Sequence, residues 1–378
     1  MENMVNKFST LESVYRGKKV FLTGHTGFKG SWMLKVLSML GAEVMGYALA
    51  PENDFDLYNL LKGASLNNSV ISDLRNRENL LSAIESFQPD FVFHLAAQPL
   101  VRLSYEIPSE TFEVNAIGTA NVLDGVRKLK KPCQVILITT DKVYHNEEWI
   151  YPYRETDRLG GYDPYSASKA CAEIVIQSYR NSYFNTKNYD KHLKSVAVVR
   201  AGNVIGGGDW AKDRLIPDIA RALAQNETVI IRNPESVRPW QHVLEPILGY
   251  LLLGSKMLGE PVKFSDSFNF GPEFNDALPV KSMVKESLKA WGSGSFKVER
   301  TEGQLHEAGL LKLDINKAIN YLGWKPTFNA TTAIDKTMSW YKNYLTNPDE
   351  IIDFTEKQIM EFLDPANRYS PVGLDSNL

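Results

Sequence analysis

The feature that most restricts this chain is a repeated alternation: short, continuously apolar runs, each followed by a stretch with helical spacing. The runs are KVFLT (19–23), EVMGYAL (43–49), FVFHLAA (91–97), QVILITT (134–140) and SVAVVRA (195–201). After the first, Trp32, Leu34, Leu37 and Leu40 recur at helical intervals, and further helices are expected near 76–87, 110–129 and 165–183. A strand apolar at every position has both faces covered, as in a parallel sheet whose crossover helices pack on either side. The pattern specifies an α/β fold with a doubly wound, Rossmann-type parallel sheet.

After Asn203 the rhythm changes. GGGDW (206–210) reads as a loop, a helix is expected near 216–225 and a short strand at VIIR (229–232), with punctuation at Gly271, Pro272, Gly292 and Gly323. This part reads as a smaller, mixed α/β lobe set against the carboxyl ends of the strands, where open α/β sheets bind ligands. The expected division is a dinucleotide-binding domain over 16–203 plus 237–262 and a lobe over 204–236 plus 263–346. A tail ending in a frayed extension follows over 347–378, and 181–192 is a polar insertion. The 378 residues, 43% of them hydrophobic, are enough for such a core.

Charge and composition remove other classes. Lys and Arg number 42 against 45 Asp and Glu, a net −3, so no basic excess invites nucleic acid or an anionic membrane. No run reaches the roughly 18 apolar residues of a membrane helix, and the N-terminus lacks the apolar segment of a secretion signal. The two cysteines, Cys133 and Cys171, read as free thiols of a cytoplasmic protein. The six histidines make no ligand pair, so no metal site is expected.

Directly after the first strand stands Gly24-His25-Thr26-Gly27-Phe28-Lys29-Gly30. Three spaced glycines alone are weak. Between a strand and a helix they allow a tight turn and close approach of backbone to a pyrophosphate at the helix N-terminus. The usual companion is an acidic residue closing the second strand, which holds the adenosine ribose. That strand ends Gly46-Tyr47-Ala48-Leu49-Ala50-Pro51, with neither an acid nor an arginine. NAD and NADP both stay open at this point, and the affinity is expected to be modest. Asp73, in SDLRN, reads equally as an acceptor for the adenine amino group or as a helix N-cap.

A Tyr and a Lys four apart on a helix share a face, and the ammonium can make the phenol a usable base. The spacing is cheap: it also joins Tyr15 to Lys19, Tyr58 to Lys62, Tyr183 to Lys187 and Tyr321 to Lys325. Only Tyr165 and Lys169 open a long helix just after a strand with a polar end. That strand runs into Thr140-Asp141-Lys142 at the sheet's carboxyl edge. The order of glycine loop, Thr-Asp-Lys and Tyr-Ser-Ala-Ser-Lys outweighs a charged surface loop.

These residues resemble the extended short-chain dehydrogenase/reductases that act on nucleotide sugars. The resemblance runs from about 18 to 340 and includes HLAAQPLV (94–101), Asn115 in VNAIGT, GYDPYSASK (161–169), RAGNVIGGGDW (200–210), RPWQHVLE (238–245), NFGP (269–272) and LKLDINKAINYLGWKP (311–326). Sibling 4-epimerases carry serines and a small residue at Thr140-Asp141-Lys142, and dTDP-sugar dehydratases carry Thr-Asp-Glu. Lys142 points to the branch that acts on CDP-glucose, a lyase removing water to leave a 4-keto-6-deoxy sugar.

The resemblance implies that Thr140, Tyr165 and Lys169 oxidise sugar carbon 4, that Asp141 protonates the departing hydroxyl, and that Lys142 stands where the base belongs. A lysine acts as a base only when neutral; charged, it would stabilise an enolate. The implied cofactor is NAD, since hydride returns within each turnover and no phosphate clamp is evident. Implied cofactor contacts extend to Leu74, Ala96, Ala97 and Thr139. Arg238 is the implied diphosphate clamp, with Gln98 and Arg102 facing the cleft, Asn203, Arg214 and Leu215 at the lobe boundary, and His306 and Glu307 near the nucleotide. His25 reads as a residue kept for backbone reasons. The helices over 110–129 and 165–183 carry apolar Val114, Ile117, Val122, Ala170, Ile174 and Val175 beyond one sheet-facing stripe. In the family these helices pair, so a homodimer or dimer of dimers is expected. The competing readings are a 4-epimerase, which Asp141 and Lys142 disfavour, and a non-catalytic dinucleotide-binding regulator, which would not need Thr140, Tyr165 and Lys169 together.

Overall fold

Seven strands form one sheet: β1 (Lys19–Thr23), β2 (Glu43–Ala48), β3 (Asn68–Ile71), β4 (Phe91–His94), β5 (Cys133–Ile138), β6 (Lys194–Ala201) and β7 (Ser267–Phe270). They are parallel throughout, in the order β7-β6-β5-β4-β1-β2-β3. This is the doubly wound topology, described here from a computed structural model over residues 7–299 and 310–364. Strand parity divides the core into two clusters. Val20, Leu22, Ile136 and Ile138 join one, and Phe21, Val135 and Leu137 join the other, so both faces of these strands are covered. Helices α1 (Phe28–Met39) and α5 (Leu244–Gly259) contribute Trp32, Leu37, Ile247 and Leu251 to the first cluster. Helices α2 (Arg77–Phe87), α3 (Gly118–Lys128) and α4 (Pro164–Ser182) contribute Ile84, Val126 and Ile176 to the second.

Winding reverses between β1 and β4, so the crevice beyond their carboxyl ends is the sheet's switch point. A buried polar string lies beneath it. Thr23 Oγ1 is 2.8 Å from His94 Nδ1, His94 Nε2 is 3.1 Å from Thr119 Oγ1, and Thr119 donates to the Asn115 carbonyl. Burial first, and the Lys169 charge second, push His94 down to about 3, so it serves as a neutral link.

The helix expected over 110–129 is interrupted by a π turn, Glu113–Ile117. The turn carries buried Asn115. Its Oδ1 accepts from Gln98 N at 2.8 Å, and its Nδ2 donates to Gln98 O at 3.1 Å and to Ser168 Oγ at 2.8 Å. One side chain thereby ties the end of β4 to α4.

Three elements lie outside the expectations. β3 is a mostly exposed edge strand, so it has no apolar run to announce it. β7 completes the main sheet from inside the range assigned to the lobe; its inward Asn269 breaks the apolar pattern, and that buried amide is instead satisfied by hydrogen bonds. Past Asn347 the chain is not a tail from its start: Ile351–Leu363 is a helix with Ile359 and Phe362 buried. The lobe is built from short strand pairs, Val229–Ile231 with Phe296–Val298 and Val237–Arg238 with Leu278–Pro279, and from helices Leu215–Ala224, Val280–Trp291 and Ala330–Thr346.

Glu245, at the start of α5, makes stability depend on pH. Its Oε1 accepts from the backbone N–H of Thr327 (2.8 Å) and Phe328 (2.7 Å), while buried Oε2 has no partner. Burial pushes this carboxyl up to about 8 against those two donors. Because the folded-state pKa is raised, the contribution is fully present below the ordinary carboxyl pKa. It is lost as pH rises through about 8, a change on the order of 4 kcal/mol. Glu245→Gln keeps the shape without the charge. It is expected to flatten that slope and to raise the melting temperature most on the alkaline side, which thermal unfolding across pH will read.

Candidate active site

The glycine turn sits at the switch point for steric reasons. Gly24 has φ +75°, and a Cβ there would lie 2.7 Å from Ala96 N; a Cβ on Gly30 would lie 1.9 Å from Gly24 O. Gly27 is the N-cap of α1 and makes no side-chain cap bond, so first-turn N–H groups are left for an anion. This bare cradle fits a dinucleotide pyrophosphate. Thr26 braces it by donating to Leu49 O at 2.9 Å, and Phe28 packs beside Gly206. His25 points the other way. It is wholly buried with Nε2 2.7 Å from Ser69 Oγ, and Gly46 has no side chain because a Cβ would meet the imidazole at 2.4 Å. Burial pushes it down to about 4.

Past the strand tips, Asp73 is not the helix N-cap. Its carboxylate takes the Arg75 guanidinium at 2.6 Å and is held below the usual range by that bond, while Asn76 caps α2. The cap fell three residues later because Asn76 Oδ1 reaches Asn79 N. Leu74 is buried under α3, its carbonyl taken by Asn121. Ala96 donates its N–H to Thr23 Oγ1, and Ala97 follows half-buried. Thr139 turns its hydroxyl away to Glu173 at 2.6 Å.

β5 ends in Thr140 and a single turn, Asp141–Val143. Thr140 Oγ1 donates to Asp141 Oδ1 at 3.0 Å and accepts from Lys142 N at 3.4 Å. Asp141 is 3% exposed. Burial raises its pKa, with the Lys142 and Arg238 charges and the Thr140 hydroxyl opposing. The turn thus presents a buried carboxyl whose pKa stands above the ordinary carboxyl value. Lys142 is half-buried, and its ammonium has no hydrogen-bond or ion-pair partner among the described residues.

Tyr165 and Lys169 enter on the first turns of α4, whose N-cap Asp163 accepts from Ser166 N at 2.9 Å. Of the five Tyr and Lys pairs at this spacing, this is the one carried on a single helix among the described residues. Burial pushes the Tyr165 phenol up to about 12, with the Thr140 hydroxyl and the Arg214 charge pulling it down. Lys169 donates to Ile138 O at 3.1 Å; burial pushes it down to about 8 against the Glu173 charge. Lys29 reaches the same cleft from α1, 3.4 Å from Tyr250 OH. Burial, then Arg214 and Lys169, push it down to about 7, with Asp141 opposing.

The expected substrate residues divide. Arg214 pairs with buried Asp209 at 2.8 Å and its charge acts on Tyr165, so it borders the cleft. Arg238 is near enough to lower Asp141, although one Nη donates to Val237 O. Arg102 is committed to Asp213 at 3.0 Å. Gln98 corrects the expectation of a cleft-facing amide: its Nε2 donates to Leu100 O and to Thr111 Oγ1 (3.0 Å) on the helix Pro108–Phe112, and its Oε1 accepts from Leu100 N. Asn203 offers its carbonyl to Gln241 N, and Leu215 packs on the first core cluster. His306 and Glu307 lie outside the described residues. No cluster suited to a metal ion occurs among the described residues, and none of their helices is long and apolar enough to cross a membrane.

Sequence reasoning missed the buried pair behind the site. Arg200 meets Glu173 through Nε at 2.7 Å and Nη2 at 2.5 Å, and its Nη1 donates to Tyr144 OH (2.6 Å) and Glu155 O (3.0 Å). The available signal was Glu173, one helical turn beyond Lys169.

A doubly wound sheet with a glycine turn at its switch point, and a Tyr and Lys on one helix facing it, defines an extended short-chain dehydrogenase/reductase. More particularly, the chain belongs to the GDP-mannose 4,6 dehydratase family, whose model matches residues 21–337. It is 46% identical over 357 residues to a CDP-glucose 4,6-dehydratase of Salmonella typhimurium, covering 94% of this chain and 99% of that one. It is 26% identical to a CDP-paratose 2-epimerase of Salmonella typhi, covering 85% and 98%. Its fold resembles that of a dTDP-glucose 4,6-dehydratase from Streptomyces venezuelae solved with NAD bound, with a TM-score of 0.72 at 22% identity over 86% and 97% of the two chains.

Proposed function

We propose that this protein is an NAD-dependent CDP-glucose 4,6-dehydratase, converting CDP-glucose to CDP-4-keto-6-deoxyglucose and water. The observation that carries the reading is Asp141, a buried carboxyl whose pKa burial raises, placed between Thr140 and Lys142 and near Tyr165. Moving hydride to and from carbon 4 needs no acid there; expelling a hydroxyl does. The Salmonella relative supports the choice of nucleotide.

When bound, NAD would supply the hydride acceptor for sugar carbon 4 and, in its reduced form, the hydride donor for carbon 6. The first-turn N–H groups of α1 and the cradle from Gly24 to Gly30 would hold its pyrophosphate. Tyr165 would take the carbon 4 hydroxyl proton as a phenolate, the form that the Thr140 hydroxyl and the Arg214 charge favour against burial. Lys169, fixed by Ile138 O, would add positive charge on the same helix face. The resulting carbonyl acidifies the carbon 5 hydrogen. The carbon 5 proton passes to a base, the place that the family resemblance gives to Lys142, while Asp141 gives its proton to the carbon 6 hydroxyl and water leaves. Arg214 and Arg238, with Arg102 once released from Asp213, balance the substrate's diphosphate. Incubation with CDP-glucose and NAD should yield the ultraviolet absorbance that 4-keto sugars develop in alkali. CDP-galactose as product would instead mark an epimerase, and an unchanged substrate a binding protein.

The working unit is a homodimer in a cytoplasmic setting. Val122 and Ala170 are used inside the protomer, but Ile117 and Ile174 are 56% and 57% exposed on neighbouring helices. Sedimentation is expected to give at least a dimer, and Ile117→Glu with Ile174→Glu a monomer.

A further inference from the structure

We propose that Gly202 is a positioning residue for the elimination: its missing side chain keeps open the space beside Asp141 Oδ2 where the carbon 6 hydroxyl is protonated and departs as water. The inference rests on the dehydratase reading and deepens it. Thr140 donates to Oδ1 of Asp141, and Oδ2 is the oxygen that lies towards Gly202. Gly202 follows β6 and lies against that oxygen. A Cβ built there would sit 3.2 Å from Asp141 Oδ2, 3.2 Å from Pro239 Cγ and 3.5 Å from Pro239 O. A proton donor has to come within about 2.6–3.2 Å of the oxygen it serves, so a methyl at Gly202 would fill the approach.

The backbone does not explain the glycine, because Gly202 is absent from the positive-φ positions. Space explains it. The same residue opens on a cavity of about 10 Å³ walled by Gly202, Pro239, Gly271, Phe274 and Leu313. That is close to the volume one water requires. Lys312, also in the wall, is committed to Phe274 O at 3.2 Å.

The step balances. As the carbon 6–oxygen bond breaks, the oxygen takes its bonding pair and the Asp141 proton and becomes water. The carbon 5 proton passes to a base, and its electron pair forms the carbon 5–carbon 6 double bond. Asp141 is left ionised.

The test compares Gly202→Ala with Gly271→Ala in rapid mixing with CDP-glucose and NAD. Gly271 lines the same cavity, but its Cβ would find nothing closer than 3.7 Å. Gly202→Ala is expected to form reduced nicotinamide at near the parent's rate and to lose it roughly 10- to 100-fold more slowly, while Gly271→Ala follows the parent. Gly202→Ser provides the same reading should the alanine variant fold poorly. Elimination at the parent's rate in a folded Gly202 variant overturns the proposal, as does an equal loss of oxidation and elimination. A parent protein that makes no 4-keto product from CDP-glucose overturns the dehydratase reading instead.

Discussion

Asp141→Asn is expected to oxidise CDP-glucose and then stall, with reduced nicotinamide accumulating and 4-keto-6-deoxy product falling by about 10²- to 10⁴-fold. The amide keeps the hydrogen bond from Thr140 and the shape of the turn but has no acidic proton for the leaving hydroxyl. Burial makes the effect large, because Asp141 is 3% exposed and solvent acid has poor access. Tyr165→Phe separates the two halves of the reaction. It removes the group that takes the carbon 4 proton, so the reduced-nicotinamide signal should vanish along with the product. An Asp141→Asn protein that dehydrates at the parent's rate would take Asp141 out of the mechanism.

The second large effect is expected on stability. Arg200 and Glu173 are each 3% exposed, and their pair joins the end of β6 to α4 directly behind Lys169. Arg200→Met leaves the Glu173 carboxylate buried with Thr139 as its remaining neutral donor and deprives Tyr144 of its cation. The cost should be about 3–5 kcal/mol in urea unfolding. Adding Glu173→Gln removes the stranded charge and should recover much of it. A double variant no more stable than Arg200→Met would show that the loss came from packing against Tyr144.

The main sheet was legible because β1, β4, β5 and β6 each carry apolar residues at consecutive positions, and a strand covered on both faces reads that way. β3 and β7 were not: one is an exposed edge, and the other places Asn269 where the pattern expects an apolar residue. The glycine turn and the Tyr165 and Lys169 pair were legible from order along the chain. Side-chain direction was not. His25 stands among the cradle residues yet points into the core, Gln98 turns to Thr111 on the helix Pro108–Phe112, and Asp73 pairs with Arg75. Each is decided by a partner distant in the fold or by local loop geometry, which motif spacing does not encode. Gly202 illustrates the converse, a residue with no side chain to attract notice whose role emerges only from what stands 3.2 Å away.

The most direct measurement of the central claim follows a label. CDP-glucose carrying deuterium at carbon 4, turned over in ordinary water, should give product with that deuterium at carbon 6. Unlabelled substrate in heavy water should gain one deuterium at carbon 5. Both outcomes follow from oxidation, elimination and hydride return within a single site. Label retained at carbon 4, or no incorporation at carbon 5, would contradict the account.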